Sequence, residues 1–334
     1  MKCLCVIVPK EEGENIRKKL SEAGVLRMDV KILNDGHRVF LPITDPQGLC
    51  HPVQEMDLEE LQRPRHYTEL LTLPPGLMEL LPSSFDIVGD IFVLKLIDEL
   101  LPHARDIAEA LLETSKNAKV VTIDRGVKGE YRTRDLEILA GENRTTTVQK
   151  EYGYRYGMDL ANVYFSPRLA TERKRIADLC KPGERILDMF CGVGPFSIML
   201  AATGKPGSVY AIDKNPEAIK YIIENIKLNK IKCVSPMLGD ARDIAPQLPR
   251  PDRIIMNLPH TAIDFLDVAL DVVNPGGTIH LYLILESDTL KIIEKGILHL
   301  AQSKKRKLKF GKVHEVHTYS PTQKMYCFDL LVIE

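Results

Sequence analysis

The fold is set by residues 185–195, Arg-Ile-Leu-Asp-Met-Phe-Cys-Gly-Val-Gly-Pro. The apolar residues up to Phe190 predict a buried strand. Gly192 and Gly194 then predict a turn, and Pro195 suits the first position of a helix. Because glycine has no Cβ, the backbone of such a turn can lie close to a ligand. The stretch therefore predicts a strand, a ligand-binding turn and a helix in succession.

A second apolar strand follows at residues 209–213 and ends in an acid, Asp213, 19 residues after Gly194. An acid at the tip of the second strand of such a fold accepts hydrogen bonds from the hydroxyls of a ribose. The two strands together predict a cofactor that contains adenosine.

The turn itself separates two kinds of cofactor. Dinucleotide-binding folds use Gly-x-Gly-x-x-Gly, whose third glycine allows close packing of helix and strand. Here Ser197 stands at the third position, and Asp188 precedes the turn. A carboxylate there would repel a pyrophosphate but suits a cofactor that carries an amino acid and a sulfonium. S-adenosylmethionine is therefore favoured, and an NAD-binding fold is the alternative.

Three further markers follow in the order expected for that cofactor. Asp240 comes after a third strand, Asn257 follows the apolar strand at residues 254–256, and a Pro-Gly-Gly turn opens the strand at residues 278–283. This order resembles the class I S-adenosylmethionine-dependent methyltransferases. The resemblance implies an α/β fold with a Rossmann-like, mostly parallel seven-stranded sheet that ends in an antiparallel hairpin.

Composition restricts the class of protein. The chain has 334 residues, a formal net charge of −1 and seven cysteines, without a Cys-x-x-Cys pair. Neither a disulfide framework nor a metal site is indicated. No apolar run has the length of a membrane span. These features predict a cytoplasmic protein that does not associate with membranes, and a monomer.

Changes in pattern along the chain predict three domains and a linker. Strand and helix patterns at residues 3–8, 11–22 and 39–43 define a small α+β unit, and a proline-rich polar stretch follows it. A hairpin around Gly89 then begins a second α+β unit. The predicted divisions are a small N-terminal domain at 1–60, a linker at 61–84, a middle RNA-binding domain at 85–163 and the catalytic domain at 164–334.

Four motifs in a fixed order narrow the family. They are Gly-Glu-Asn-Arg-Thr at 141–145, Tyr-Phe-Ser-Pro-Arg at 164–168, Glu-Arg at 172–173 and Asn-Leu-Pro at 257–259. With these motifs, the chain resembles archaeal tRNA (guanine-37 N1)-methyltransferases. The resemblance is strong from residue 85 to 334 and extends to the N-terminal unit. It implies that the partner is tRNA, contacted at the anticodon loop and at the outer corner.

The chemistry of guanine gives these motifs their expected roles. N1 of guanine carries a proton at neutral pH, so a base must remove it, and the resulting charge on O6 needs a donor. The resemblance implies that Glu172 is the base, that Arg144 stabilises O6 and that Asn257 holds the edge of the guanine. Alternatively, Glu172 is an acid favoured by the helix dipole and Arg144 a surface phosphate contact.

The expected contacts fall into two sets. Residues expected to bind the cofactor are Tyr164, Phe165, Arg173, Asp188, Gly192, Asp213, Lys214, Asp240, Ala241 and Asn257. Residues expected to contact tRNA, beside the basic run at 304–309, are Arg125, Lys128, Arg132, Arg134, Arg144, Ser166, Arg168, Pro259 and His260.

His260 leaves the substrate open. Single-activity members of the resembled family have a Lys or Arg there, whereas an uncharged His suits a larger, less polar tricyclic base. A second activity, methylation of C7 of 4-demethylwyosine, therefore stays open. Two alternatives remain: the wyosine-pathway enzyme that transfers an aminocarboxypropyl group from the same cofactor, and a tRNA-binding protein without catalysis.

Overall fold

The computed structural model describes residues 1–46, 51–60, 66–131 and 133–333. The chain divides into two compact units, Met1–Thr72 and Leu73–Glu334. The predicted division at 163–164 falls inside the second unit, and the predicted domain boundaries stay predictions.

The first unit is one antiparallel sheet with a helix on one face. Its elements are β1 (Lys2–Pro9), α1 (Gly13–Glu22), β2 (Leu33–Asn34), β3 (Arg38–Ile43) and β4 (Val53–Asp57), and the strand order is β2-β3-β1-β4. A 3-10 helix follows at Tyr67–Leu70. The predicted strands and helix are confirmed to within two residues. Sequence analysis missed β4. Few of its side chains are buried, so it lacks an apolar pattern, and backbone pairing with β1 holds it in the sheet.

The second unit begins with a helix, a four-stranded sheet and a separate hairpin. The elements are α2 (Pro75–Met78), β5 (Asp86–Val88), β6 (Ile91–Leu94), α3 (Ala104–Thr114), β7 (Val120–Lys128), β8 (Thr133–Gly141), β9 (Thr146–Glu151) and β10 (Tyr154–Asp159). The first sheet has the order β5-β6-β7-β8, and β9 pairs with β10. The predicted hairpin around Gly89 is confirmed, because β5 and β6 are antiparallel across it.

The remainder of the second unit alternates strands and helices. The elements are α4 (Ala170–Leu179), β11 (Arg185–Asp188), α5 (Pro195–Ala201), β12 (Ser208–Asp213), α6 (Pro216–Leu228), β13 (Val234–Leu238), α7 (Ala241–Ile244), β14 (Arg253–Met256), α8 (Leu266–Val272), β15 (Thr278–Glu286), α9 (Leu290–Ser303), β16 (Leu308–Thr318) and β17 (Gln323–Val332). Apolar side chains of these elements form buried clusters against both faces of the sheet.

The sheet has seven strands in the order β13-β12-β11-β14-β15-β17-β16. Strands β11 to β15 are all parallel to one another, and β17 runs antiparallel to both β15 and β16. The antiparallel hairpin at one edge separates this topology from the dinucleotide-binding dehydrogenases. The predicted class I methyltransferase fold is confirmed.

Buried polar contacts join the β9–β10 hairpin to the catalytic sheet and its helices. Glu151 accepts two hydrogen bonds, of 2.8 and 2.7 Å, from Nη1 of Arg173, and both side chains are buried. The side-chain oxygen of Asn225 on α6 accepts from the amide of Gly157, and its nitrogen donates to the carbonyls of Gly157 and Val193. These contacts fix the hairpin to the elements that carry the predicted cofactor site.

Among the described residues, no helix combines the length and the apolar character that crossing a membrane requires.

Candidate active site

The turn between β11 and α5 has a backbone conformation that favours glycine at positions 192 and 194. Gly194 caps α5 with φ at +85°, a conformation that costs other residues energy. A Cβ at this position would lie 2.5 Å from Ile222 of α6. Gly192 also has a positive φ, of +53°. The second glycine therefore serves helix packing, and the first leaves the turn open.

Asp213, at the end of β12, holds this turn in place. Its Oδ2 accepts a 2.7 Å hydrogen bond from the amide of Gly192, and Oδ1 accepts one of 2.9 Å from the amide of Asn215. Burial raises the pKa of Asp213, and the backbone amides partly oppose that shift. Each oxygen keeps a lone pair, so the carboxylate can also accept from ribose hydroxyls.

Asp188 ends β11 as a buried carboxyl group. Its Oδ2 accepts a 2.8 Å hydrogen bond from Ser197, whereas the buried Oδ1 has no hydrogen-bond partner among the described residues. Burial, helped by the nearby charge of Asp213, raises the pKa of Asp188 to about 7. A buried acceptor without a partner is costly, and a cationic ligand would satisfy it. The position therefore fits the positive groups of S-adenosylmethionine.

A second unpartnered acceptor lies at the same edge of the sheet. Asp188 pairs in register with Ile255 of β14, and Asn257 follows two residues later. Oδ1 of Asn257 is also buried, and no residue in the described part of the chain donates a hydrogen bond to it. Because the carboxyl ends of parallel strands meet at one edge, Asp188 and Asn257 present open acceptors to one ligand region.

Glu172 lies in the first turn of α4 with 7% of its surface exposed. Arg175 donates from Nε to Oε2 at 2.8 Å and from Nη2 to Oε1 at 2.7 Å. The hydroxyl of Tyr282 also donates to Oε1, at 2.7 Å. Oε1 therefore accepts two hydrogen bonds and Oε2 one, which leaves Oε2 the oxygen with more free capacity to take up a proton.

Tyr282 connects the carboxylate of Glu172 to the ligand edge, the edge of the sheet at which the carboxyl ends of the parallel strands lie. Met256 of β14 pairs in register with Leu281 of β15, so Asn257 and Tyr282 occupy the next step along the two strands. Glu172 on α4 is thus hydrogen-bonded to β15, the strand that pairs with β14, and Asn257 directly follows β14.

Arg144 belongs to a different cluster. Its guanidinium donates to Asp90 at 3.1 and 2.6 Å, to Glu142 at 2.7 Å and to the carbonyl of Thr146. It lines an open cleft of about 730 Å³ that Tyr221 of α6 also borders. Within the described part of the chain, no hydrogen bond or ion pair joins Arg144 to Glu172.

Three segments that were predicted to bind the cofactor differ in their contacts and exposure. The carboxylate of Asp240 caps α7 by accepting from the amide of Arg242 at 2.9 Å, and Ala241 beside it is buried. Lys214 pairs with Glu130 at 2.7 Å and is exposed. Tyr164 is exposed as well, with 54% of its surface open, and can contact a ligand.

Arg173 and Phe165, which were both predicted to contact the cofactor, have buried side chains. Arg173 is 1% exposed, and its guanidinium is committed to Glu151 and to the carbonyl of Ser166, at 2.7 Å. It also stacks on the ring of Phe165, 4.7 Å from the ring centroid, and that ring is buried. Both side chains stabilise the segment beside Tyr164, and their predicted contacts with the cofactor stay predictions.

The predicted tRNA contacts divide by burial. Arg125 and Lys128 lie exposed on the β7–β8 hairpin, paired with Glu137 and Asp135 at 2.7 and 2.8 Å. Such surface pairs contribute little energy, so phosphate can replace the acid. Arg132 lies outside the described residues.

Arg134 and Ser166 are buried, whereas Arg168 is exposed, and the predicted tRNA contacts of all three stay predictions. Arg134 is 7% exposed and pairs with Asp86 at 3.0 Å and Asp124 at 3.4 Å, so two acids already balance its charge. Ser166 is also buried. Arg168 shares Asp86, at 2.8 Å, but half of its side chain is exposed and can contact RNA.

The residues after Asn257 are accessible. His260 is exposed, and its ring meets the ring of Tyr319 edge to face, with centroids 5.6 Å apart. Pro259 precedes it and accepts from the amide of Ile284 at 3.2 Å. In the basic run at 304–309, Lys304 pairs with Asp271 at 2.6 Å.

Sequence analysis missed the polar cluster behind Glu172. Arg175, Asp329, His280 and Arg253 form a continuous chain of hydrogen bonds. The available signal was a charged or titratable residue inside apolar strands, since His280 and Asp329 interrupt the runs of β15 and β17. Ligand atoms of His280, Asp329 and Cys327 lie within 4.8 Å of one another. The two guanidinium groups already supply the positive charge there, so the cluster does not favour a metal ion.

The strand order, the glycine turn and the acid at the end of β12 define an S-adenosylmethionine-dependent methyltransferase of class I. The profile of the TRM5/TYW2 methyltransferase domain matches residues 147–312, that of the TYW2 N-terminal domain residues 67–145, and that of the tRNA methyltransferase 5 N-terminal domain residues 5–47.

Known proteins agree with these matches. The chain is 47% identical to the tRNA (guanine(37)-N(1))-methyltransferase Trm5b of Pyrococcus abyssi, over 84% of this chain and 83% of that protein. A solved complex of aTrm5 and tRNALeu has a TM-score of 0.71 at 36% identity, covering 99% of this chain and 100% of the other. TYW2 of Pyrococcus horikoshii, solved with MeSAdo, has a TM-score of 0.66 at 31% identity, covering 78% and 94%. The chain belongs to the TRM5/TYW2 methyltransferase family, and the resemblance seen in its motifs is confirmed.

Proposed function

We propose that this protein methylates N1 of guanosine 37 in tRNA, beside the anticodon. The observation that carries the proposal is the position of Glu172. It is a buried carboxylate, joined through Tyr282 to the step of the sheet that also holds Asn257. A base at the edge where the cofactor and the substrate meet is what transfer to a protonated ring nitrogen needs. The similarity to Trm5b supports the same assignment.

The cofactor is held by residues of the ligand edge. Asp213 would accept hydrogen bonds from the ribose hydroxyls, and Asp188 would face the cationic methionine end. Because Gly192 has no Cβ, the cofactor can lie close to the backbone there. When bound, S-adenosylmethionine supplies an electrophilic methyl group. Asn257 and Pro259 would hold the edge of the guanine beside that group.

The proton on guanine N1 sets the task of the protein residues. Oε2 of Glu172, which accepts one hydrogen bond, from Nε of Arg175, takes the proton as N1 becomes the nucleophile. Negative charge then develops on O6, and a fixed donor stabilises it. Arg144 is the proposed donor, held by Asp90 at the cleft. Since Arg144 and Glu172 belong to separate clusters, the extruded base would bridge them.

The proposed tRNA contacts follow exposure and charge. The β7–β8 hairpin offers Arg125 and Lys128, and Arg168 adds an exposed guanidinium near Tyr164. The N-terminal unit is proposed to contact the outer corner of tRNA, and residues 85–163 the anticodon region. Residues 1–60 carry eight Lys/Arg and eleven Asp/Glu, so tRNA recognition there would depend on shape more than on charge. We propose that the protein acts as a cytoplasmic monomer.

The experiment is nucleoside mass spectrometry after incubation with S-adenosylmethionine and unmodified tRNA. We expect 1-methylguanosine at position 37 and no transfer to tRNA with adenosine at that position, because adenine N1 carries no proton and lacks O6. Cofactor binding without any methylated product would instead indicate a tRNA-binding protein without catalysis.

A second activity is supported by the surroundings of His260. Its imidazole lies edge to face on Tyr319, which gives the substrate side an aromatic wall without a fixed positive charge. Such a wall suits the tricyclic base of 4-demethylwyosine, and we propose that C7 of this base is also methylated. The same incubation with tRNA that contains 4-demethylwyosine tests it. Because the family includes TYW2, a product heavier by an aminocarboxypropyl group would identify the alternative enzyme class.

A further inference from the structure

We propose that Asp329, acting through Arg175, and Tyr282 set how readily Glu172 accepts the proton of guanine N1. Both are positioning residues, since neither touches the substrate itself. The inference rests on the proposed function, in which Glu172 is the base. It is drawn from the polar cluster behind α4.

Arg175 divides one positive charge between two carboxylates. Nε and Nη2 bind Glu172, while Nη1 donates to Oδ2 of Asp329 at 2.8 Å and Nη2 lies 3.3 Å from Oδ1. The guanidinium is planar, so its two edges serve both acids at once. If Asp329 were neutral, the whole positive charge of Arg175 would act on Glu172.

Asp329 is kept ionised by its other partners. Nη1 of Arg253 lies 2.6 Å from Nε2 of His280, and because arginine only donates, Nε2 must be the acceptor. The proton of His280 is therefore on Nδ1, which donates to Oδ1 of Asp329 at 2.6 Å. Burial lowers the pKa of His280, so the ring is neutral. Although burial opposes it, hydrogen bonds from His280 and Arg175 hold the pKa of Asp329 well below its usual value.

The charges of the cluster give the direction of the effect. Glu184 pairs with Arg253 at 2.9 Å, so three carboxylates face two guanidinium groups, and the cluster carries one net negative charge. Uptake of one proton by Glu172 makes it neutral. Without the charge of Asp329, the cluster would start neutral and become positive, which a poorly solvated environment disfavours.

The remaining groups around Glu172 are neutral near pH 7. Burial raises the pKa of Tyr282 and of Cys327, and burial lowers the pKa of His314, which lies 3.4 Å from Asp329. The titratable and charged groups that face Glu172, element by element, are Arg175 on α4, Tyr282 and His280 on β15, His314 on β16, Cys327 and Asp329 on β17, and Arg253 on β14 with its partner Glu184.

Tyr282 acts in the opposite direction. Its hydroxyl donates to Oε1 and so stabilises the ionised carboxylate of Glu172. Removing the hydroxyl should make Glu172 accept a proton at higher pH, whereas removing the charge of Asp329 should make it accept only at lower pH. Two variants with opposite predicted shifts exclude a general loss of packing as the cause.

The test is the single-turnover rate of methyl transfer to guanosine 37, measured from about pH 5 to about pH 9. In Asp329→Asn we expect the rise on the acidic side to move down by about one pH unit and the limiting rate to fall by about threefold to tenfold, as for a weaker base. In Tyr282→Phe we expect the same rise to move up. Asp329→Glu keeps the charge and should restore the position of the rise.

Glu151→Gln is the matched control, because Glu151 is also a buried carboxylate paired with an arginine of α4 but lies outside this cluster. It should lower thermal stability without moving the pH profile. Unchanged profiles in both Asp329→Asn and Tyr282→Phe, with normal cofactor binding, would overturn the inference and leave the proposed function intact. If Asp329→Asn no longer binds cofactor, Tyr282→Phe decides alone. If the unaltered protein makes no 1-methylguanosine, the proposed function itself fails.

Discussion

The amide of Gly192 donates a 2.7 Å hydrogen bond to Oδ2 of Asp213. The acid expected to hold the ribose thus also fixes the glycine turn that the rest of the cofactor must approach. The glycine turn and the acid at the end of β12, which are separate motifs in the sequence, are therefore joined directly in the structure.

Asp213→Ala should weaken S-adenosylmethionine binding by about 100-fold or more, since it removes both the ribose acceptor and the anchor of Gly192. Calorimetry measures the affinity. Asp213→Asn is the comparison: an amide oxygen can still accept from the Gly192 amide, so part of the affinity should return. Equal affinities in the unaltered protein and the Ala variant would remove Asp213 from the site.

Cofactor affinity should depend on pH through Asp188, whose pKa is raised to about 7. A cationic ligand favours the ionised form, so binding expels the proton and affinity rises as pH increases through 7. Between pH 6 and pH 8 the gain should be about tenfold. Asp188→Asn should abolish the dependence, and titrations at several pH values would show a flat line.

The same shift affects the stability of the ligand-free protein with a defined sign. Folded Asp188 keeps its proton to about pH 7, whereas the unfolded chain loses it near pH 4. The folded state therefore binds more protons in this window, and this group favours unfolding as pH rises. Chemical denaturation of Asp188→Asn at pH 5 and pH 7 would show this contribution missing.

Glu172→Gln should retain cofactor and tRNA affinity but slow methylation by about 100-fold or more, the range for a lost general base. The rate should recover as pH rises, because guanine then loses its proton to solvent. Rapid-quench single turnovers provide the measurement. A near-normal rate at neutral pH would make Glu172 a structural acid that only anchors Arg175.

His260→Lys should separate the two proposed activities. The Lys ammonium beside Tyr319 would lose solvation when the larger, less polar tricyclic base covers it, so C7 methylation should fall about tenfold while much of the N1 activity remains. Rates on unmodified tRNA and on tRNA containing 4-demethylwyosine are compared by mass spectrometry. Equal loss of both products would show that His260 does not distinguish the substrates.

The sequence predicted the parts of the site that follow strands. Asp188, Asp213 and Asn257 could be placed in advance, because the ends of parallel strands meet at a known edge of this sheet. The mostly parallel seven-stranded sheet with an antiparallel hairpin at its edge was expected from the resemblance to class I methyltransferases, and it is confirmed.

What the sequence could not predict was which charges are paired. Arg134 and Arg173 lie in segments that suggested RNA and cofactor contacts, but both are buried against acids distant in the chain. The contact between Arg175 and Asp329 spans 154 residues and depends on β17 lying beside β15. Such pairing is a property of tertiary packing, and no local pattern records it.

The pair formed by Glu151 and Arg173 limits how this family can evolve by exchange of segments. A recombination between two relatives at residues 163–164 would inherit Glu151 from one parent and Arg173 from the other. A parent that lacked either residue would leave the remaining charge buried and alone, at a cost of about 3–5 kcal/mol. Asn225 imposes the same condition on the backbone at Gly157. The segment that would select the RNA and the segment that binds the cofactor can therefore be exchanged between relatives only together.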